Sequence, residues 1–182
     1  MLMLPNVPEL WITLLACMKL GVVIVPSSVQ LRASDVASRL SRANIKHVVT
    51  DAEGEPLFED AASLLTRWTT GASPRPGFVT IDADAESDVF LAPTKTAATD
   101  PLLLYFTSGT MALPKLVLHT HQSYPVGHLS TMYWIGLLRG DVHWNISSPG
   151  WAKHAWSNVF APWNAEAAVF IRNTRRFTPQ DA

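Results

Sequence analysis

The stretch Leu102-Leu-Leu-Tyr-Phe-Thr-Ser-Gly-Thr-Met-Ala-Leu-Pro-Lys115 decides how this chain is interpreted. Its first five residues are all apolar, which is typical of a strand buried on both faces. Three hydroxyl residues then surround Gly109, and a lysine follows Pro114. Glycine lets the backbone turn so that several N–H groups point at one anion, while the hydroxyls and the lysine add donors and positive charge. The stretch therefore predicts a buried strand followed by a polyphosphate-binding loop.

The spacing separates this loop from two better-known motifs. A Walker A loop needs a glycine directly before its lysine and a hydroxyl residue directly after it, whereas Pro114 and Leu116 stand there. A nucleophile elbow needs glycines two residues before and after its serine, whereas Ser108 has Phe106 and Thr110 at those positions. Taken alone, a Ser/Thr-rich surface turn explains the stretch as well as a phosphate loop does, because short motifs produce false matches.

The loop resembles the signature loop of the AMP-forming adenylate-forming enzymes, which include the acyl-CoA synthetases. The family pattern is Thr-Ser-Gly-Thr, a small hydroxyl residue, Gly, any residue, Pro and Lys. The positions that match this pattern are Thr107, Ser108, Gly109, Thr110, Pro114 and Lys115, with Leu113 at the free position. Met111 replaces a phosphate-facing hydroxyl, and Ala112 makes a positive φ costlier than glycine would.

The resemblance implies that residues 107–115 hold the β- and γ-phosphates of ATP, with Mg²⁺ near Thr110. It also implies a reaction in which a carboxylic acid, expected to be a fatty acid, attacks ATP to give acyl-AMP, after which CoA displaces AMP. The family's catalytic lysine lies in a small C-terminal domain, so no catalytic residue is assigned here. One alternative passes the acyl group to a carrier protein, and another is a nucleotide-binding or interaction module without catalysis of its own.

Two further segments extend the resemblance. Residues 3–26 are similar to the family's early helix and following strand. The stretch Asn145-Ile-Ser-Ser-Pro-Gly-Trp-Ala-Lys-His154 is similar to the next core motif of the acetyl- and medium-chain acyl-CoA synthetases, in which a Gly-Trp pair is usual. Because that region lines the acyl pocket and the route of the CoA thiol, the resemblance assigns Gly150, Trp151 and His154 to those surfaces.

The length of the chain sets a second expectation. Members of the family have several hundred residues, so the resemblance implies that these 182 residues correspond to part of the large N-terminal domain. The family's adenine- and ribose-binding segments, hinge and C-terminal domain find no counterpart in the sequence. We therefore expect an incomplete nucleotide site, little activity of the chain alone, and self-association through apolar surface that the rest of the domain would cover.

Composition limits the other function classes. The formal net charge is −1, so no electrostatic footprint for nucleic acid is expected. Cys17 is the single cysteine, which excludes an internal disulfide and fits a cytoplasmic location. His119 and His121 would share one strand face and are candidates to contact the nucleotide, but no carboxylate or cysteine beside them suggests a zinc site. Polar residues interrupt the apolar residues 1–26, so no membrane span is expected.

Alternating periodicities predict an α/β fold with a mixed, largely parallel sheet flanked by helices. A strand, a helix capped by Ser34 and another strand, over residues 22–50, indicate a parallel βαβ unit. We expect further helices over residues 8–20, 58–68, 122–138 and 155–163. Further strands are expected over residues 78–81, 102–106, 116–119, 142–147 and 167–171.

Overall fold

The computed structural model of the protein describes residues 1–82, 87, 89–92, 95–107, 114–174 and 178. The strands are β1 (Leu2–Met3), β2 (His47–Thr50), β3 (Thr66–Thr69), β4 (Val79–Thr80), β5 (Pro101–Thr107), β6 (Lys115–Thr120), β7 (Val142–His143) and β8 (Ala168–Val169). The helices are α1 (Pro8–Leu20), α2 (Ala33–Arg42), α3 (Ser123–Gly127), α4 (Leu129–Ile135), α5 (Ala152–Ala155) and α6 (Ala161–Asn164). A 3₁₀ turn forms at Glu55–Phe58, and a π-helical turn at Trp156–Phe160 joins α5 to α6.

Helix α1 begins and ends where its sequence predicts. Pro8 occupies the first turn, where the missing N–H costs nothing because those groups have no partner within the helix. Gly21 ends the helix at φ 69°, in the left-handed region that glycine adopts at little cost. Leu10, Trp11 and Leu14 are buried on one side, and they anchor the helix in a core that includes β5.

The predicted strand over residues 22–25 is reduced to two single bridges. Ile24 pairs with β5 and Pro26 pairs with β1, both in parallel. Proline has no N–H to donate, so a regular ladder does not continue through residue 26. We call residues 24–28 the bridging segment, because it joins the β5–β6 hairpin to the sheet that contains β1.

The largest sheet is parallel, with strand order β1-β2-β3-β4. Helix α2 connects the bridging segment to β2. Strand β1, which was not predicted from the sequence, lies between the bridging segment and β2. The predicted βαβ unit is therefore present only in part: helix α2 and the parallel strand β2 form, but single bridges replace its first strand and β1 is inserted. Strands β5 and β6 pair antiparallel, and β7 and β8 pair in parallel, so the expectation of a mixed, largely parallel α/β fold is confirmed.

The helix predicted over residues 58–68 is wrong. The chain makes a 3₁₀ turn that ends at Phe58, and β3 occupies Thr66–Thr69. The residues of β3 include two threonines and a tryptophan, which suit a strand when a neighbour offers its backbone, and β2 pairs with all four of them. The sequence alone did not reveal this partner.

Two smaller expectations also need correction. Ser34 lies inside α2 instead of capping it, because the helix begins after Arg32, whose N–H donates to the carboxylate of Asp35 at 3.2 Å. The helix expected over residues 122–138 is divided into α3 and α4. His128 stands between them at φ −95° and ψ 5°, outside helical geometry.

Two buried clusters form the core. One lies between α1, β5 and the helical residues 152–164, and the other lies between α2, β2 and the aromatic rings of Phe58 and Phe78. Cys17 packs at the edge of the first cluster, and burial raises the pKa of its thiol. In the part of the chain that the structure describes, no helix is both long and apolar enough to cross a membrane.

Candidate functional site

The predicted phosphate loop joins the two strands of a hairpin. Strands β5 and β6 pair up to Thr107 and Lys115, which face each other as the last pair. The interior of β5 is buried as predicted, with Leu102, Leu103 and Tyr105 at 2% exposure or less. The remaining predicted loop residues, Ser108, Gly109, Thr110, Met111, Ala112 and Leu113, lie outside the described residues.

We call Phe106, Thr107, Pro114 and Lys115 the hairpin mouth. Lys115 is exposed there and forms no ion pair with any described residue. The Thr107 hydroxyl donates to the Lys115 carbonyl across 3.5 Å, which is a long and weak hydrogen bond. The Lys115 ammonium is therefore available to an anion at the end of the hairpin, and the Thr107 hydroxyl can donate to that anion once it gives up this weak bond.

Gly150, one of the predicted acyl and CoA residues, has no room for a side chain. A Cβ added there would lie 2.0 Å from the backbone nitrogen of Ser28 and 2.5 Å from its Cα. Atoms that are not bonded to each other do not approach so closely. The Ser28 backbone also cannot rotate out of the way as a flexible side chain can. Only glycine lets the turn after Pro149 rest on the bridging segment, so this residue has a packing reason that its motif did not reveal.

Trp151 and His154, which follow this turn, have opposite environments. Trp151 precedes α5 and is 65% exposed, whereas His154 is 2% exposed. The His154 ring packs against Trp11, and its Nε2 lies 3.0 Å from Oδ1 of Asn6. An amide oxygen only accepts hydrogen bonds, so Nε2 carries the hydrogen. Burial lowers the pKa of His154 to about 4, and the ring is neutral at pH 7.

The π-helical turn next to His154 is held by two side chains from other elements. Nε2 of His143 lies 2.7 Å from the carbonyl oxygen of Ser157, and the Trp11 indole donates to the carbonyl of Asn158 at 3.1 Å. Turns of this kind are rare and occur often at functional sites. Here the two bonds tie the helical residues 152–164 to β7 and α1.

A cleft of about 500 Å³ opens beside the Gly150 turn. Its walls are loops that follow the carboxyl ends of β1, β2, β7 and β8, where α/β folds place their ligands. Val29 and Gln30, which follow the bridging segment, also line the cleft. The loops contribute Pro5, Asn6, Asp51, Glu53, Gly54, Leu57, Trp144, Asn145, Ile146, Ser147, Ser148, Pro149, Arg172, Asn173 and Thr174. Asn6 lines the cleft and also contacts His154. The buried histidine is therefore connected to the cleft by one hydrogen bond, to the side-chain amide of Asn6.

The two histidines considered for nucleotide contact lie at the far end of β6 from Lys115. The His119 ring packs against Tyr105 and Tyr124, at centroid distances of 6.3 and 4.4 Å. His119 is four positions further along the strand than Lys115, which corresponds to about 13 Å. Among the described residues, no group of three or more His, Cys, Asp or Glu is arranged to hold a metal.

The sequence interpretation missed two arginines near the hairpin mouth. Arg39 and Arg42 lie in the last turn of α2, and both guanidinium groups lie over the ring of Phe106. Their spacing of three residues, which places two helical side chains on one face, was the signal that could have drawn attention to them.

A comparison with known protein families decides the family of this protein. The family model described as AMP-binding enzyme matches residues 1–182. The chain belongs to that family. It is 34% identical to the mitochondrial acyl-coenzyme A synthetase ACSM3 of Mus musculus, over 97% of this chain and 32% of the mouse protein. It is 33% identical to the mitochondrial acyl-coenzyme A synthetase ACSM5 of Homo sapiens, over 97% of this chain and 31% of the human protein.

A solved structure supports the fold assignment. The chain superposes on the crystal structure of a Brucella canis acyl-CoA synthetase with a TM-score of 0.83 and 24% identity, covering 99% of this chain and 34% of the other. The AMP-binding enzyme fold predicted from the loop is confirmed. The chain spans about a third of the length of the curated relatives that it matches.

Proposed function

We propose that the protein takes part in ATP-dependent activation of a carboxylic acid, expected to be a fatty acid, to acyl-AMP and then to acyl-CoA. The observation that carries the proposal is the hairpin mouth, where Thr107 and Lys115 stand as the last strand pair in a chain of the AMP-binding enzyme family. The names of the curated relatives, which are acyl-coenzyme A synthetases, support the choice of acid and acceptor.

The role proposed for the mouth is to position the polyphosphate and to stabilise its charge. Lys115 supplies a positive charge from the rim and Thr107 supplies a neutral donor, while Ser108, Gly109 and Thr110 are proposed to add further donors. Fixed donors of this kind favour nucleotidyl transfer because they are oriented before the reaction and need no rearrangement during it. The catalytic lysine of the family is not assigned to any residue of this chain.

Magnesium is proposed to arrive with ATP. Mg²⁺ prefers oxygen ligands and is commonly held by substrate phosphates, waters and one or two protein oxygens. The hydroxyl of Thr107 fits that donor chemistry, and Thr110 is the residue that the resemblance places nearest the ion. Bound Mg²⁺ would neutralise phosphate charge, which complements the positive charge of Lys115.

The cleft beside Gly150 is the proposed place for the acceptor. Its volume of about 500 Å³ suits a small organic ligand, and polar groups from Asn6, Ser147 and Ser148 line it. Trp151, at 65% exposure, is available to contact an acyl or pantetheine chain. His154 is proposed to act through Asn6, which it contacts at 3.0 Å. The alternative acceptor is a carrier protein, and assays of thioester formation with CoA and with a carrier protein separate the two.

The test of the phosphate role is ATP–pyrophosphate exchange with a panel of carboxylic acids, in the wild-type protein and in Lys115→Ala. Little activity is expected of these 182 residues alone. Whatever acid-dependent exchange the wild type shows should fall at least about tenfold in the variant, since a charged hydrogen bond contributes about 1.5–3 kcal/mol. Exchange that is unchanged by the substitution would contradict the role assigned to Lys115.

A second candidate is nucleotide binding without catalysis by these 182 residues. The observation that favours it is that the described groups beside the hairpin mouth, the exposed Lys115 ammonium and the two arginines over Phe106, are suited to binding an anion. Isothermal titration with Mg·ATP, performed on the preparation used for the exchange assay, separates the two candidates. Binding without exchange supports this second candidate, and exchange supports the first.

Two finer expectations belong to the proposal. Self-association is supported by exposed apolar residues along β6, where Leu116, Val117 and Leu118 are 36–53% exposed, and light scattering over a range of concentrations tests it. A cytoplasmic location is the expectation from cysteine usage, whereas the relatives from mouse and human are named as mitochondrial enzymes. Imaging of the tagged protein in its own cells decides between the two compartments.

A further inference from the structure

Helix α2 contacts the hairpin mouth on both of its strands. Nη2 of Arg42 donates to the carbonyl oxygen of Pro114 at 2.6 Å. The guanidinium carbons of Arg39 and Arg42 lie 4.8 and 5.4 Å from the centre of the Phe106 ring. Phe106 directly precedes Thr107, and Pro114 directly precedes Lys115, so the helix contacts the chain just before each residue of the last strand pair.

Arg39 is fixed from a second side by the bridging segment. Its Nη1 donates to the hydroxyl of Ser27 at 3.3 Å, and Ser27 is 1% exposed. Burial lowers the pKa of Arg39, and the nearby Asp35 opposes that change, but a guanidinium stays charged at any physiological pH. Arg39 therefore brings a permanent positive charge to a defined place between Phe106 and the bridging segment.

The contacts made by Arg42 require an arginine. A guanidinium is planar, so it can stack on an aromatic ring while its edge donates a hydrogen bond. The ammonium of a lysine is compact, so it cannot stack on the Phe106 ring and donate to the Pro114 carbonyl at the same time. The two arginines also favour the helix itself, because positive charge at the carboxyl end of a helix complements its dipole.

We propose that Arg39 and Arg42 are positioning residues for polyphosphate binding at the hairpin mouth. They hold Phe106 and Pro114 so that Thr107 and Lys115 face the same anion, and they add two positive charges beside it. This inference rests on the proposed function and adds to it a second set of cations, supplied by a helix that lies outside the signature loop.

The test uses the ¹⁵N-labelled chain and Mg·tripolyphosphate as the probe, with the amide signal of Lys115 as the readout. The variants are Arg42→Gln, Arg42→Lys and the control Arg32→Gln. Arg32 precedes α2 at its other end, about 15 Å away along the axis, and its substitution removes the same charge. We expect about tenfold weaker binding for Arg42→Gln, a change of less than about twofold for Arg32→Gln, and an intermediate value for Arg42→Lys.

The lysine variant separates positioning from charge alone. If Arg42→Lys binds as tightly as the wild type, charge accounts for the effect and the positioning role is overturned. Equal affinities of Arg42→Gln and Arg32→Gln overturn the inference altogether. A lower urea midpoint with faster amide exchange along all of β5 and β6 would make Arg42 a general stability residue, which also overturns it.

The inference and the proposed function fail in different ways. If the Lys115 signal of the wild type does not move at millimolar tripolyphosphate, the proposed function is contradicted. The ligand-free spectra then decide the positioning role by themselves. We expect the Lys115 amide to exchange faster in Arg42→Gln than in Arg32→Gln while exchange at β2 stays the same, and equal exchange rates at Lys115 would overturn the inference. The same measurements on Arg39→Lys, compared with the wild type, test the positioning role of the second arginine.

Discussion

The hairpin mouth and residues 150–154, which comprise the turn at Gly150 and the first residues of α5, are built in opposite ways. At the mouth, Lys115 is exposed and is free of ion pairs with the described residues. At the turn, Gly150 touches the backbone of Ser28 and His154 is buried. The mouth keeps the Lys115 ammonium exposed to a ligand, whereas the turn uses its residues to hold loops around a cleft. Substitutions should therefore change ligand binding at the mouth and stability at the turn.

The largest expected effect is the loss of stability in Gly150→Ala. The added methyl group would lie 2.0 Å from the Ser28 nitrogen, so the turn and the bridging segment must separate. We expect the free energy of unfolding to fall by about 3 kcal/mol or more, at the upper end of the overpacking range. Urea denaturation measures it.

The matched control for that prediction is Gly127→Ala. Gly127 ends α3 and has no atom within 4 Å of an added Cβ. Its substitution should leave the free energy of unfolding equal or slightly higher, because alanine restricts the unfolded chain. Equal losses in the two variants would show that Gly150 is not packed as described.

The next effect is acid destabilisation through His154. In the unfolded chain the imidazole binds a proton below about pH 6.5, whereas in the folded protein burial lowers the pKa to about 4. Between these values the unfolded state binds more protons, so stability falls as the pH decreases. The shift corresponds to about 3 kcal/mol, fully lost below pH 4. Urea denaturation at several pH values measures this fall.

The comparison variant is His154→Gln, which keeps a donor for Asn6 but does not titrate in this range. Its free energy of unfolding should be lower than that of the wild type at pH 7, and it should decrease less between pH 6.5 and 4. Parallel pH profiles would contradict the assigned burial. His128, whose pKa is lowered mainly by burial, contributes to both profiles and cancels in the difference.

At the mouth, Lys115→Ala should change binding and not stability. The exposed ammonium makes no ion pair with a described residue, so the free energy of unfolding should stay within about 0.5 kcal/mol. Affinity for Mg·tripolyphosphate should fall by about tenfold or more. Lys46→Ala removes the same charge just before β2 and should change neither quantity. Loss of stability in Lys115→Ala would remove the contrast between the two regions.

A stability effect as small as that of Lys115→Ala is expected for Trp151→Ala. Its side chain is 65% exposed, so the free energy of unfolding should change by less than about 0.5 kcal/mol, while thioester formation with CoA should fall. Trp11→Phe makes the contrast, because it removes the indole bond to Asn158 and should cost about 1 kcal/mol. A stability loss in Trp151→Ala as large as in Trp11→Phe would assign Trp151 to packing.

Local sequence signals predicted the elements whose ends depend on one or two residues. Pro8 and Gly21 mark α1 because proline and glycine have strong backbone preferences of their own. The apolar run 102–106 predicted β5 because strands buried on both faces need apolar side chains on both. The alternation of helical and strand periodicities along the chain predicted the mixed α/β fold, because strands that alternate with helices form a sheet covered by those helices.

Elements that depend on a distant partner were missed. Strand β1 has two residues, which no periodicity reveals, and β3 forms because β2 offers its backbone. The need for glycine at position 150 comes from Ser28, which is more than one hundred residues earlier in the chain. Arg39 and Arg42 carry no motif, and only their place beside Phe106 gives them a role.

The sequence by itself determined the strand, the composition of the loop after it and the family, because these depend on the order of neighbouring residues. Tertiary structure decided that α2 contacts the hairpin mouth, that His154 is buried and neutral, and that loops from four strand ends enclose one cleft. Burial and proximity depend on how distant segments pack, and packing depends on all contacts at once. The residues proposed to act on a ligand were therefore predicted from the sequence, whereas the residues proposed to hold them in place required the fold.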